Sequence, residues 1–232
     1  MAELFDAYER ALRRKGMVEG GLIKISGAGS IAGGTYEAVH IAGSGTVRGD
    51  LSAKEVRVAG SASFQGSVSA EEVSVSGTAS VQGDVKASVF KAAGSLTVRG
   101  SLEASGSLRV AGALRAARVR APEVRISGGF EVDEVEGDLV ELELSGGSRA
   151  ALIRGGEVRV RRAEGGLASA LLGRLLKLRG VPELEVGRIE ARAVLVEDVL
   201  VRGDVKAERV EIAGQGEVEG RVEGEVVRRK HR

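Results

Sequence analysis

The 232-residue chain has no cysteine, no tryptophan, two prolines, two histidines and an aromatic content of only 3%. Each shortage removes a class of function. Without cysteine there are no disulfides, no thiolate metal sites and no cysteine nucleophile. Two histidines, His40 and His231, fall short of a three-histidine zinc centre, and both read as solvated: His40 lies on the polar side between Val39 and Ile41, and His231 in the basic C-terminal segment. The charges balance, 34 basic against 33 acidic for a net +1, so no bulk field recruits nucleic acid or an anionic surface. No apolar run is long enough to span a bilayer, and no charged-then-apolar N-terminal signal is present. A cytoplasmic protein is expected.

Glycine is abundant, with 35 residues, and it is periodic. Gly49, Gly66, Gly83 and Gly100 step by a constant 17, as do Gly43, Gly60, Gly77 and Gly94. A fixed period of this size is the mark of a solenoid, which also explains how a chain this long forms one body without a conventional globular core. Within one period Val56, Val58, Gly60, Ala62, Phe64, Gly66, Val68 and Ala70 alternate with Arg57, Ala59, Ser61, Ser63, Gln65, Ser67 and Ser69, the two-residue rhythm of a half-buried strand. An odd repeat returns a residue to the same face only if the alternation slips once per coil, and it slips at Glu71-Glu72. Corners near residues 60, 66 and 71–72 divide the coil into three short faces, the glycines bending the backbone where a side chain would block the core. Stacked in parallel at ~4.8 Å, such coils make equivalent residues of successive periods neighbours. The corner column Asp50, Ser67, Asp84, Ser101 then never sets carboxylate on carboxylate, and Lys54 faces Glu71.

Along the chain, residues 1–20 differ from all the rest. Leu4, Phe5, Tyr8 and Leu12 fall at helical spacing, acidic residues come early and basic ones late, and a short amphipathic helix is predicted. It is read as a cap on the first coil, with a membrane-surface or partner-binding helix as the alternative. Coils occupy 21–164, marked by an apolar, any, apolar, small, Gly signature at Ile23, Val39, Val56, Val73 and Phe90, then at Leu108, Val124 and Leu142 in steps of 16 to 18. Over 165–182 the leucines Leu167, Leu171, Leu172, Leu175 and Leu176 favour a helical insertion near 167–179. The competing reading makes Leu176 to Gly180 one more coil. Coils resume over 183–225, and 226–232 reads as a solvated basic tail.

The coils Gly-Asp-Leu/Val-x-Ala-x-x-Val-x-Val-x-Gly at Gly49 to Gly60 and Gly203 to Gly214 resemble those of the bactofilins, a polymer-forming cytoskeletal family. The likeness covers about residues 20 to 225. It implies an all-β fold, a right-handed parallel β-helix with a triangular core, assembling end to end into nonpolar filaments without nucleotide. The helix-like ends depart from the Pro-rich, polar tail usual in that family.

No catalytic constellation is legible and no cofactor is expected. Gly27-Ala28-Gly29 and Gly43-Ser44-Gly45 lack the helix and Lys-Ser/Thr of a phosphate cradle. The acidic run Glu131, Asp133, Glu134, Glu136, Asp138, Glu141 and Glu143 alternates with apolar residues and reads as outward strand positions. An acyltransferase of hexapeptide-repeat type requires strict hexads, three to the coil, and the period of this chain slips against that rhythm at every turn. That reading, and a glycan-binding β-helix, are the alternatives. Phe64 and Phe90 face inward, and no outward aromatic column exists for a glycan. The expected partner is the chain itself, through terminal coils at Ile23, Ile25, Val39 and Ile41 and at Val210, Ile212, Val218 and Val222. A membrane surface or partner protein is assigned to Leu4, Phe5, Tyr8 and Leu12, and neither nucleic acid nor nucleotide is expected.

Overall fold

The computed structural model describes residues 21–163 and 181–229. Nine strands run through them: β1 (Leu22–Phe64), β2 (Val68–Val81), β3 (Val85–Arg120), β4 (Glu123–Leu144), β5 (Ser148–Arg162), β6 (Glu183–Glu197), β7 (Leu200–Ala213), β8 (Glu217–Glu219) and β9 (Val222–Arg229). Each of β1 to β7 pairs in parallel with the next, and β7 also pairs with β9. The longer strands continue through the corners. The result is an all-β parallel solenoid in which partners on successive coils of β1 to β3 lie 17 apart in the chain, with no helix among the described residues.

Register follows the sequence period. Leu51 pairs with Val68 and Val68 with Val85, Val56 with Val73 and Val73 with Phe90. The inward residues Val56, Val58, Phe64, Val68, Val73, Val75, Val81 and Val85 are all buried. Because every coil is only a few side chains wide, each core residue packs mainly on its equivalents above and below, and apolar columns form. Val140, Val158, Val194, Val210 and Val226 make one such column.

The glycine column is a direct consequence of that stacking. Gly27, Gly43, Gly60, Gly77, Gly94, Gly112 and Gly128 all have positive φ, from 93° to 133°. A Cβ built on each of Gly43 to Gly128 strikes the carbonyl oxygen of the glycine one coil before it. Only glycine satisfies both conditions. The column ends at Gly128. Gly146, which carries the signature in the sequence, lies in an open turn with nothing near it, while Leu142 and Leu144 are both buried.

The other corner is held by side chains. Asp50 Oδ1 accepts from the Ser67 N–H at 2.7 Å, Ser67 Oγ from the Asp84 N–H at 3.2 Å, and Asp84 Oδ1 from the Ser101 N–H at 2.7 Å. The alternation of Asp and Ser therefore forms a hydrogen-bonded ladder, each rung satisfying a corner N–H that the sheet leaves unpaired. Lys54 is 3.6 Å from Glu37, on the coil before it, and not paired with Glu71.

Two sequence expectations lie outside the described residues, the N-terminal helix and the helix near 167–179. Val158 pairs with Val194 and Val160 with Val196, so β5 and β6 are direct neighbours, and the alternative coil from Leu176 to Gly180 lies outside the described residues. The basic tail is corrected in part. Val226 to Arg229 belong to β9 and pair with β7, because Val226 completes the Val210 column and its partial burial outweighs the charge of the residues after it.

Candidate functional site

The described residues contain no group of three or more His, Asp or Glu side chains placed to hold a metal ion. No helix among them is long and apolar enough to cross a membrane. His40 is half-buried, its Nε2 3.8 Å from Glu55 and without a hydrogen-bond partner. Glu55 is claimed by Arg57.

On the lateral surface the acidic run of β4 lies between arginines of β3 and β5. Arg115, Glu131, Arg149, Glu185, Arg202 and Glu219 form one register column, and Arg120, Glu136, Arg154, Glu190, Lys206 and Glu223 another. Charge alternates at every step. Arg115 meets Glu131 at 2.6 Å, Arg149 meets Glu185 at 2.7 Å and Arg154 meets Glu190 at 3.3 Å. The hydrogen bond from Arg154 holds the Glu190 carboxyl below the usual carboxylate range against a smaller opposing effect of burial, with Arg188 assisting. The hydrogen bond to Glu185 raises Arg149, and the one to Glu219 raises Arg202. Glu141 is 6% exposed and sits between Arg125 at 2.9 Å and Arg159 at 3.0 Å. The sequence shows the acidic run plainly. The sign reversal one coil away on either side is equally present, and becomes visible once the coils are laid in register.

The ends are where the stacking stops. At the N-terminal end of the described coils Leu22 is 57% exposed and Ile23 half-buried, while Ile25 is covered. Val39 and Ile41 lie one coil inward and are fully buried. At the other end β8 and β9 form the last coil. Val218 stacks on Val201, Val222 on Val205 and Val226 on Val210. The inner member of each pair is completely buried, whereas Val218 and Val222 are half-buried and Val226 is 46% exposed. The eight sequence-selected residues thus divide. Ile23, Ile25, Val218 and Val222 belong to the outermost described coils, and Val39, Ile41, Val210 and Ile212 to coils already covered.

Val226 is the end residue that sequence reasoning missed. Its signal was its place one coil after Val210, hidden by the adjoining Arg228 and Arg229. Arg228 stacks on Ile212, so the last coil places a cation where earlier coils place an apolar side chain. Leu4, Phe5, Tyr8 and Leu12 lie outside the described residues.

Residues 10–102 match a family model, Bactofilin, described as polymer-forming cytoskeletal. No curated protein and no solved structure matches the chain.

Proposed function

From the bactofilin match over residues 10–102 as premise, we propose that this chain is a structural protein that polymerises end to end through its terminal coils. The filaments are nonpolar and need no nucleotide. The observation that carries this reading is the last coil, where a core column ends on Val226 at 46% exposure directly above Val210 at 0%. An end coil also presents the N–H and C=O groups of its outer edge, which makes an uncovered end a template for another copy. Two identical ends meeting about a two-fold axis give a self-complementary contact, and a filament built from such contacts at both ends has no polarity.

The amphipathic segment carrying Leu4, Phe5, Tyr8 and Leu12 is assigned to capping the first coil or, when displaced, to a membrane surface or partner. The protein then works in the cytoplasm, with peripheral attachment through this segment. Flotation with anionic vesicles, comparing the full chain with Leu4→Glu/Leu12→Glu, decides between these roles.

Sedimentation and electron microscopy test polymerisation. Wild-type protein is expected to pellet as filaments with or without added nucleotide. Val218→Glu and Val222→Glu are expected to abolish the pellet while leaving circular dichroism and melting nearly unchanged. Wild-type protein that stays monomeric at high concentration removes the reading, and a variant that loses its fold with its polymer assigns these valines to the core alone.

A further inference from the structure

A net charge near zero hides one uneven column. In the columns of Arg115 and Arg120 the sign reverses at every coil. On the face that ends at the glycine column it does not. Three residues before those glycines, the outward positions of successive coils read Lys24, His40, Arg57, Ser74, Lys91, Arg109 and Arg125, and the first carboxylate of the column is Glu141. Like charges directly opposite oppose stacking, so this column departs from its neighbours. It is compensated from one side only. Lys91 meets Glu72 at 3.4 Å, and Arg109 and Arg125 meet Glu123 at 3.3 and 2.7 Å, both carboxylates lying on the side away from the glycines. On the other side runs an uncharged lane, Ala42, Ala59, Ser76, Ala93, Ala111 and Ser127. A shallow cavity of 540 Å³ lies over it, walled by Lys91, Arg109 and Arg125 and floored by Ser76, Ala93 and Ala111. The three cations remain 51%, 49% and 47% exposed, and their remaining N–H donors are free to face the lane.

We propose that this face docks an acidic α-helix of a partner protein, its backbone in the lane and its carboxylates along the basic column. This goes beyond end-to-end assembly, which leaves the lateral faces open. Charge complementarity selects an anionic partner, and the backbone selects a helix. The coils here are paired on both sides, so the face offers no free sheet edge, and an incoming segment must satisfy its own N–H and C=O groups, as a helix does. The spacing agrees. Helical turns rise ~5.4 Å against ~4.8 Å between coils, whereas same-side residues of an extended strand lie ~6.7 Å apart and lose step by the second coil. Side chains no larger than alanine or serine let the helix backbone approach, which brings its carboxylates within reach of the cations. Neither column nor lane carries an aromatic side chain on which a nucleobase could stack.

The probe is a fluorescent, capped peptide of about 20 residues on the repeat Glu-Ala-Ala-Leu-Glu-Ala-Ala, ~30 Å long as a helix with carboxylates along one edge. Anisotropy with the full chain is expected to show binding that weakens as salt rises. Lys91→Gln/Arg109→Gln is expected to weaken it roughly fivefold to tenfold, and Ala111→Gln, which fills the lane without changing charge, by a similar factor. Arg149→Gln/Arg202→Gln, in the alternating column, is expected to leave it unchanged. All these side chains are outward and exposed, so melting is expected to stay near wild type, and Lys91→Arg/Arg109→Lys, which keeps the charge, is expected to keep the binding. Equal binding of the peptide with glutamine in place of glutamate overturns the proposal, as does binding untouched by K91Q/R109Q or none at millimolar peptide. A uridine oligonucleotide that binds more tightly than the peptide and ignores Ala111→Gln replaces the helix with nucleic acid. The V218E/V222E protein is expected to bind like wild type, so loss of filaments and loss of docking are read separately.

Discussion

Replacing single glycines by alanine separates two reasons for glycine in this fold. Gly77 has φ of +124°, and a methyl built on it meets the Gly60 carbonyl closer than real Cβ atoms approach an oxygen, with the carbonyl carbon at 3.0 Å. An L-residue in the left-handed region costs about 1–2 kcal/mol. Moving the Gly60 carbonyl aside weakens its ladder bonds, each worth about 0.5–1.5 kcal/mol. If two such bonds are lost, Gly77→Ala is expected to destabilise its coils by about 2–5 kcal/mol. Gly49 has φ of +95° but no atom nearer than 3.9 Å, so Gly49→Ala carries the backbone strain alone, about 1–2 kcal/mol. Gly146 has nothing within 4 Å and no left-handed φ, and Gly146→Ala is expected to be neutral or slightly stabilising through the unfolded state. Because solenoids unfold coil by coil, the suitable measurement is hydrogen exchange of amides in and beside the substituted coil, supported by thermal melting. Equal protection in the Gly77 and Gly146 variants would refute the argument that stacked carbonyls enforce glycine there.

Val73→Asp places a carboxylate among columns where Val73 is 4% exposed. It is expected to cost several kcal/mol and to expose the local coils to protease, whereas Ser74→Asp, on the outward face, is expected to be tolerated. Glu141→Gln removes the charge shared by Arg125 and Arg159. A loss of about 1–3 kcal/mol is expected for charge-assisted bonds of this kind, and no change in melting would show that the two arginines are satisfied by Glu123 and Glu157 alone. For pH, the Glu190 carboxyl is depressed by Arg154. Its contribution is therefore complete above the usual carboxylate range and is lost as pH falls through its lower folded value. Melting is expected to stay level from neutral pH to about 5 and to decline below about 4, with a shallower acid decline in Glu190→Gln. An identical acid limb in the variant would remove Glu190 from the account.

The chain's periodicity by itself determined the solenoid, its parallel register and its inward set. Alternation with one slip per coil leaves Val56, Val58, Val73 and Val75 only one face to occupy, and a constant period leaves them only one neighbour to stack upon. The Asp50-Ser67-Asp84-Ser101 column was equally visible, but as a charge pattern. That its oxygens accept corner N–H groups depends on backbone geometry which spacing does not contain. The acidic run of β4 was seen without its arginine partners, because the coils on either side differ in length and a fixed period loses count there. Tertiary structure alone decided that β5 lies directly on β6, since pairing across residues 163–181 is set by which columns close and not by distance along the chain. It also decided where the last coil ends. Val226 lies among Glu225, Val227, Arg228 and Arg229, a string that local composition reads as solvated, and only the buried Val210 beneath it makes it the end of the core.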